Sequence, residues 1–176
     1  CLAAEELRNY YAGDKATLVI DPTIANDEGY RISGSTVSAK TEIGLLYGAY
    51  ALLRGEQGAS APYYKLRILN HWDNLDSSIE RGYAGLSIFW ALEDPKTRRN
   101  SDLWKPKPIN TELIKAYARA IASIGINGTV LNNVNASPKM LSALYLNKVK
   151  EIADILRPYG IKVYLSVNFA SPMSIP

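Results

Sequence analysis

The sequence predicts an α/β protein with a parallel sheet, and three observations carry that prediction. From Lys65 onward, short apolar runs alternate with amphipathic stretches in the order strand, helix, strand, helix, strand. The step from Thr129 to Ile161 has the length of one strand-plus-helix repeat. Each apolar run also leads into a polar segment: His71-Trp72-Asp73-Asn74, Asn132-Asn133-Val134-Asn135, and Val167-Asn168-Phe169-Ala170-Ser171-Pro172.

Residues 1–62 read as a small mixed α/β domain. Cys1-Leu2-Ala3-Ala4 runs straight into Glu5-Glu6, so no signal peptide is visible. Thr17–Asp21 is an apolar run ending in Asp-Pro, which suits a buried strand. Glu28–Ser33 and Ser35–Lys40 flank Gly34 as the arms of a hairpin. Thr41–Arg54 is a helix with Ile43, Leu46, Tyr47, Tyr50 and Leu53 on one stripe. Gly44 and Gly48, one turn apart, would let that helix approach a sheet closely. Gly55–Pro62, rich in Gly and Ala, is a loop and the expected domain boundary.

Residues 63–176 carry the repeats. Lys65–Asn70 is the first strand, followed by a polar stretch to Pro108 that holds Trp90 and Trp104. Thr111–Ile124 is a helix with Leu113, Ile114, Tyr117, Ile121 and Ile124 inward, stopped by Gly125. The second strand is Thr129–Leu131. Ser137-Pro138 is a helix start, Ser as N-cap and Pro in the first turn. That helix turns Leu141, Leu144, Tyr145, Val149, Ile152 and Leu156 inward and ends at Gly160. In the third strand Ile161, Val163, Leu165 and Val167 alternate, and it finishes at Asn168.

Such a sheet is expected to be buried on both faces. An open doubly wound sheet and a barrel compete. No Gly-rich phosphate loop follows the first strand, and the polar strand ends suit the functional face of a barrel. The expected fold is therefore a small mixed α/β N-terminal domain followed by the first three βα units of an incomplete TIM (β/α)8 barrel. Three repeats do not close such a barrel, so the chain is expected to stop within it.

Composition narrows the function. Hydrophobic residues make up 47% and charged residues 21%, as in soluble globular proteins. No run reaches the roughly 18 apolar residues of a membrane span. The net charge of +3 is scattered, which argues against nucleic acid and anionic lipid as partners. One cysteine permits no internal disulfide, and the lone His71 rules out a multi-histidine metal site. Twelve Tyr and three Trp against two Phe supply rings with a polar handle, suited to carbohydrate as well as to cores and interfaces.

Asn132, Asn133 and Asn168 stand at successive strand ends, where an amide can bridge sugar hydroxyls. The plainer alternative is that each bonds its own turn backbone. Asp73 and Asp76 are too close in sequence to straddle a glycosidic bond. Asp73 fits better as a helper of His71 or as a loop-ordering acceptor. His71, Asp73 and Asp76 match no strong metal spacing. Glu80 and Arg81 are either an ion pair ordering their loop or substrate contacts, with Arg81 a natural partner for a carboxylate. Trp72 and Trp90 either pack under the loop or face a pyranose ring. Lys96, Arg98, Arg99, Lys105 and Lys107 read as a solvated face.

Three stretches carry a family likeness: Arg67–Trp90, Ala122–Ala136 and Arg157–Pro172. Together with EGYRI and TEIGLLYGAYALLRGEQ earlier in the chain, they resemble the bacterial and fungal α-glucuronidases of xylan breakdown, glycoside hydrolase family 67. The resemblance implies a front α/β domain, a (β/α)8 barrel and a helical C-terminal region. It implies inverting hydrolysis, without a cofactor, of the α-1,2 bond joining glucuronic acid or its 4-O-methyl ether to xylose in xylo-oligosaccharides. Carboxyls set about 6.5–9.5 Å apart suit that outcome. The family's acid and base lie on later strands, so no catalytic residue is assigned in this chain. What carries over is one wall of the sugar pocket: Trp90 and Val134 against the uronic acid or its methyl ether, with Glu80, Arg81, Asn132, Asn133 and Asn168 as hydrogen-bonding neighbours. A homodimeric full-length enzyme, in a bacterial periplasm or cytoplasm, is compatible with this. A non-catalytic carbohydrate-binding module, or another barrel glycosidase such as a β-hexosaminidase, are the alternatives.

Overall fold

The computed structural model describes residues 1–13, 15–82 and 85–168. They form a mixed α/β protein with two separate sheets, falling into two compact units. The first comprises Cys1–Arg67 with Arg119–Asn127 and Pro158–Gly160; the second comprises Ile68–Ala118, Gly128–Arg157 and the chain from Ile161.

The first unit opens with a helix that the sequence reading missed, α1 (Leu2–Tyr10). Its sheet holds β1 (Thr17–Ile20), β2 (Tyr30–Ser33), β3 (Thr36–Ala39) and β4 (Gly58–Ser60), in the order β1-β3-β2-β4. The hairpin is present: β2 and β3 are antiparallel with Ser33 opposite Thr36, and Gly34 turns the chain at φ 58°. Two expectations are corrected. The strand ending at Asp21 is not buried, since Val19 and Ile20 are 40% and 55% exposed. It pairs only with β3, at the edge of the sheet, so among the described residues its other side has no strand beside it. Gly55–Pro62 is not all loop, because β4 lies inside it and pairs with β2 through backbone groups that need no apolar side chains.

Helix α2 (Glu42–Leu53) is capped by Thr41, whose Oγ1 accepts from the Gly44 amide at 3.1 Å. Both glycines lie where the helix meets the sheet. A Cβ on Gly48 would stand 2.4 Å from Val37 Cγ1, and one on Gly44 would stand 2.6 Å from the Gly29 carbonyl. Rather than one buried stripe, every residue from Gly44 to Leu52 is buried, because the sheet and α1 both contact the helix. Glu6 of α1 is buried as a carboxylate and is matched by Arg119 Nε at 2.7 Å.

In the second unit, β5 (Ile68–Asn70), β6 (Gly128–Val130) and β7 (Lys162–Tyr164) form a parallel sheet in that order. Helix α3 (Thr111–Ser123) lies between β5 and β6 in sequence, and α4 (Ala143–Leu156) between β6 and β7. Ile114, Leu131, Tyr145, Ile152 and Leu156 form its core, each at most 2% exposed. The strands are shorter than expected and not buried on both faces. Ile68 is 37% exposed, and among the described residues β5 and β7 each pair only with β6. Leu113 and Leu144, expected inward, are 42% and 52% exposed, and Ile124 in the first unit is 71% exposed. Ser137-Pro138 opens a separate 3-10 turn, Pro138–Leu141, rather than α4 itself. The Ser142 amide closes that turn onto the Lys139 carbonyl, and α4 starts afresh.

Candidate functional site

Beyond Asn70 the chain keeps strand alternation for two residues. Asn70 and Trp72 line a cavity of about 240 Å³, and His71 does not. Val134 and Asn135, past the end of β6, and Ser166, past β7, complete that wall, while Glu80 and Arg81 reach it from the loop. The cavity thus lies beyond the carboxyl ends of the parallel strands, where α/β proteins hold ligands.

Two asparagines order the backbone around it, and of these Asn133 lines it. Asn132, 1% exposed, donates from Nδ2 to the Ser166 carbonyl at 2.8 Å and accepts at Oδ1 from the Ser166 amide at 3.2 Å. It therefore ties the ends of β6 and β7 together where backbone pairing has stopped. Asn133 donates to Asn74 Oδ1 and accepts from the Asn135 amide at 2.6 Å, which builds the turn that lifts Val134 to 53% exposure. Asn133 thus follows the plainer of the two sequence alternatives, a bond within its own turn, and Asn132 bonds the backbone beyond the neighbouring strand instead.

Arg81 takes a left-handed backbone, φ 60° and ψ 21°, costly for a residue with a Cβ. Its guanidinium lies 5.1 Å from the Trp72 ring centroid. Among the described residues no ion pair joins it to Glu80.

Trp90 departs from the sequence expectation. It is 2% exposed, packs edge-on against Tyr145 at 5.9 Å, and donates its indole N–H to the Leu131 carbonyl at 2.8 Å. It fixes the backbone just before Asn132 from behind the cavity, and Trp72 supplies the aromatic wall. A large ring in a polar loop is equally a core or a binding residue by sequence, and packing decides. Asn168 is exposed and does not line the cavity. Asn70, Asn135 and Ser166 were not singled out beforehand; the alternation from Asn70 to Trp72 was the available signal. Tyr83, Ala84 and Phe169–Pro172 lie outside the described residues.

His71 points the other way, into a buried polar chain. Its Nε2 is 2.7 Å from Tyr117 Oη, which is 2.8 Å from Thr129 Oγ1, with the Phe89 ring edge-on to the imidazole at 5.0 Å. Asp73 is not a hydrogen-bonded helper, since its Oδ1 lies 3.9 Å from Nδ1. Asp76 is engaged in its own turn, accepting from the Ser78 amide and hydroxyl. Burial lowers the His71 pKa, and the Asp73 charge opposes that shift. A folded pKa below the unfolded value means fewer protons on the folded state in that window. His71 therefore contributes no penalty above the unfolded value of about 6.5, and stability falls as pH drops below it. As the sole histidine it gives a single ring signal, and its NMR titration is expected below pH about 6.5. A midpoint at or above that value would mean that Asp73 outweighs burial.

Comparison with known proteins adds the family. The chain matches the glycosyl hydrolase family 67 middle domain over residues 50–176. It is 42% identical over 154 residues to a probable α-glucuronidase A of Neosartorya fischeri, covering 82% of this chain and 17% of that protein. To the α-glucuronidase A of Emericella nidulans it is 39% identical over 169 residues, covering 85% of this chain and 18% of that one. A solved structure, a GH138 enzyme targeting pectin rhamnogalacturonan II, shares the fold at TM-score 0.54 and 16% identity, over 99% of this chain and 24% of that one. The chain belongs to glycosyl hydrolase family 67, and it spans less than a fifth of the length of these curated relatives.

Proposed function

We propose that this chain contributes one wall of the uronic-acid pocket of an α-glucuronidase. That enzyme removes glucuronic acid, or its 4-O-methyl ether, α-1,2-linked to xylose in xylo-oligosaccharides. The observation carrying the proposal is the strand-end cavity, in which a guanidinium, an indole and an exposed valine stand together. Arg81 receives the sugar carboxylate, whose paired oxygens match its fork of donors. The Trp72 face takes the pyranose ring. Val134 offers an apolar contact suited to a methyl ether. Glu80 and the Asn133 turn border the same space, while Trp90 and Asn132 hold the strand ends in place. Asn168 stands in the segment that leaves β7.

On this proposal β5, β6 and β7 are the first three strands of a (β/α)8 barrel. The acid and base carboxylates belong to later strands, outside residues 1–176, and the reaction inverts the anomeric centre without a cofactor. The test is hydrolysis of aldobiouronic and aldotriouronic acids by the whole protein that carries this chain, with the product anomer followed by NMR. Release of uronic acid with inverted configuration supports the proposal. A protein that binds these sugars without cleaving them is a binding module, and the proposal then fails.

A further inference from the structure

Between the two cavity residues Asn70 and Trp72, strand alternation sends His71 to the opposite side of the chain. Whatever holds its ring there also sets where its neighbours stand. The β5–β6 ladder ends at Asn70, opposite Val130, and one further bond runs from the His71 amide to the Val130 carbonyl at 3.2 Å. Beyond it the Trp72 carbonyl accepts from the Glu80 amide at 2.9 Å. A shift of this strand end would therefore carry Asn70, Trp72 and the Glu80–Arg81 wall together.

The anchor is Tyr117, which α3 brings from 46 positions along the chain. Its ring stands edge-on to both Phe89 and His71, at 5.4 Å from each. Its hydroxyl lies 2.7 Å from His71 Nε2 and 2.8 Å from Thr129 Oγ1, and Thr129 is fully buried. One hydroxyl proton cannot serve both neighbours, so the chain has a direction. Burial raises the Tyr117 pKa and keeps that proton on its oxygen. The Asp73 carboxylate, 3.9 Å from His71 Nδ1, sets the direction. Its charge favours the ring proton on Nδ1, which leaves Nε2 as an acceptor. Tyr117 then donates to Nε2 and accepts from Thr129 Oγ1, so both buried hydroxyls are satisfied. Among the described residues Asp73 is the one charged group acting on the imidazole; Phe89 from the loop and Thr129 from β6 carry no charge.

We propose that Tyr117 is a positioning residue for the strand-end cavity. Its hydroxyl holds neutral His71 by Nε2, and through it fixes Asn70 and Trp72 at the cavity wall. The direction of the bonds and the hold on Trp72 stand on this chain of contacts alone. That the fixed wall serves a uronic acid rests on the function proposed above.

Nitrogen-15 NMR of the whole protein that carries this chain, well above pH about 6.5, reads the tautomer. The His71 and Trp72 ring signals are identified by their loss in His71→Gln and Trp72→Phe. A proton on His71 Nδ1 is expected, and a proton on Nε2 overturns the assignment. Tyr117→Phe keeps the ring contacts and removes the hydroxyl. It is expected to shift the Trp72 indole signal and to raise the KM for aldotriouronic acid roughly 3- to 10-fold, as for loss of one hydrogen bond. kcat should change little, because the wall binds substrate and transition state alike. Thr129→Val removes a buried hydrogen bond from the same chain but leaves the Tyr117–His71 bond in place. It should lower the melting temperature as Tyr117→Phe does, without raising KM. An unmoved Trp72 signal in Tyr117→Phe, or an equal rise in KM in both variants, overturns the proposal. A whole protein that neither binds nor cleaves the sugar defeats the function proposed above instead, and the Trp72 signal then decides the positioning role.

Discussion

Gly48→Ala is expected to destabilise the first unit by about 1–3 kcal/mol, although alanine is the better helix former by about 1 kcal/mol. The added Cβ would stand 2.4 Å from Val37 Cγ1 and 3.0 Å from Tyr30 Cβ. Val37 is 0% exposed, so its methyl has nowhere to move except by displacing β3 or α2. A loss of this size lowers the melting temperature by about 2–4 °C per kcal/mol in a chain of this length. Val37→Ala alone opens a cavity and also destabilises. The double variant should lose at least about 1 kcal/mol less than the two single losses added, because the new methyl fills the space the valine left. Strict additivity in denaturant melts would show that helix and sheet are not held apart by this contact.

Arg81→Met is expected to raise the KM of the whole protein for aldotriouronic acid about 10- to 100-fold. That is the loss of a charge-assisted contact worth about 1.5–3 kcal/mol. Arg81→Gly should show the same loss of binding with equal or greater stability, since glycine accepts φ 60° without the strain on a residue bearing a Cβ. Stability and binding would then move in opposite directions at one position. The melting temperature and KM of the two variants, measured side by side, check this. If both retain wild-type KM, Arg81 does not hold the uronate.

Much of the molecule was legible in the sequence. The hairpin about Gly34 and the glycine stops at Gly125 and Gly160 follow from local chemistry, and the parallel order of three strands follows from the strand–helix alternation. The glycine signals are short-range: a turn or a helix stop needs one glycine with positive φ. Helix α1 was missed because its nine residues mix apolar, acidic and polar side chains with no capping hydrogen bond at Cys1. Strand β4 was missed because Gly-Ala-Ser has no β-forming side chain, and its pairing with β2 is a backbone affair. The 3-10 turn before α4 was hidden because Ser137-Pro138 is an equally good start for either helix type.

The sequence by itself determined the class of fold, the position of the polar strand ends and, through long specific stretches, the family. Only the tertiary structure decided which of those polar residues face a cavity. Asn132 turns its amide onto the Ser166 backbone, a need that exists only once β6 and β7 are side by side, and Asn133 spends its amide on the Asn74 side chain and its own turn. Trp72 and Trp90 are the same residue type in the same polar stretch. One lies over Arg81 at the cavity wall, and the other is enclosed between Leu131 and Tyr145. Side-chain burial is a property of the neighbours that folding supplies from far along the chain, and a local reading of the sequence does not contain them.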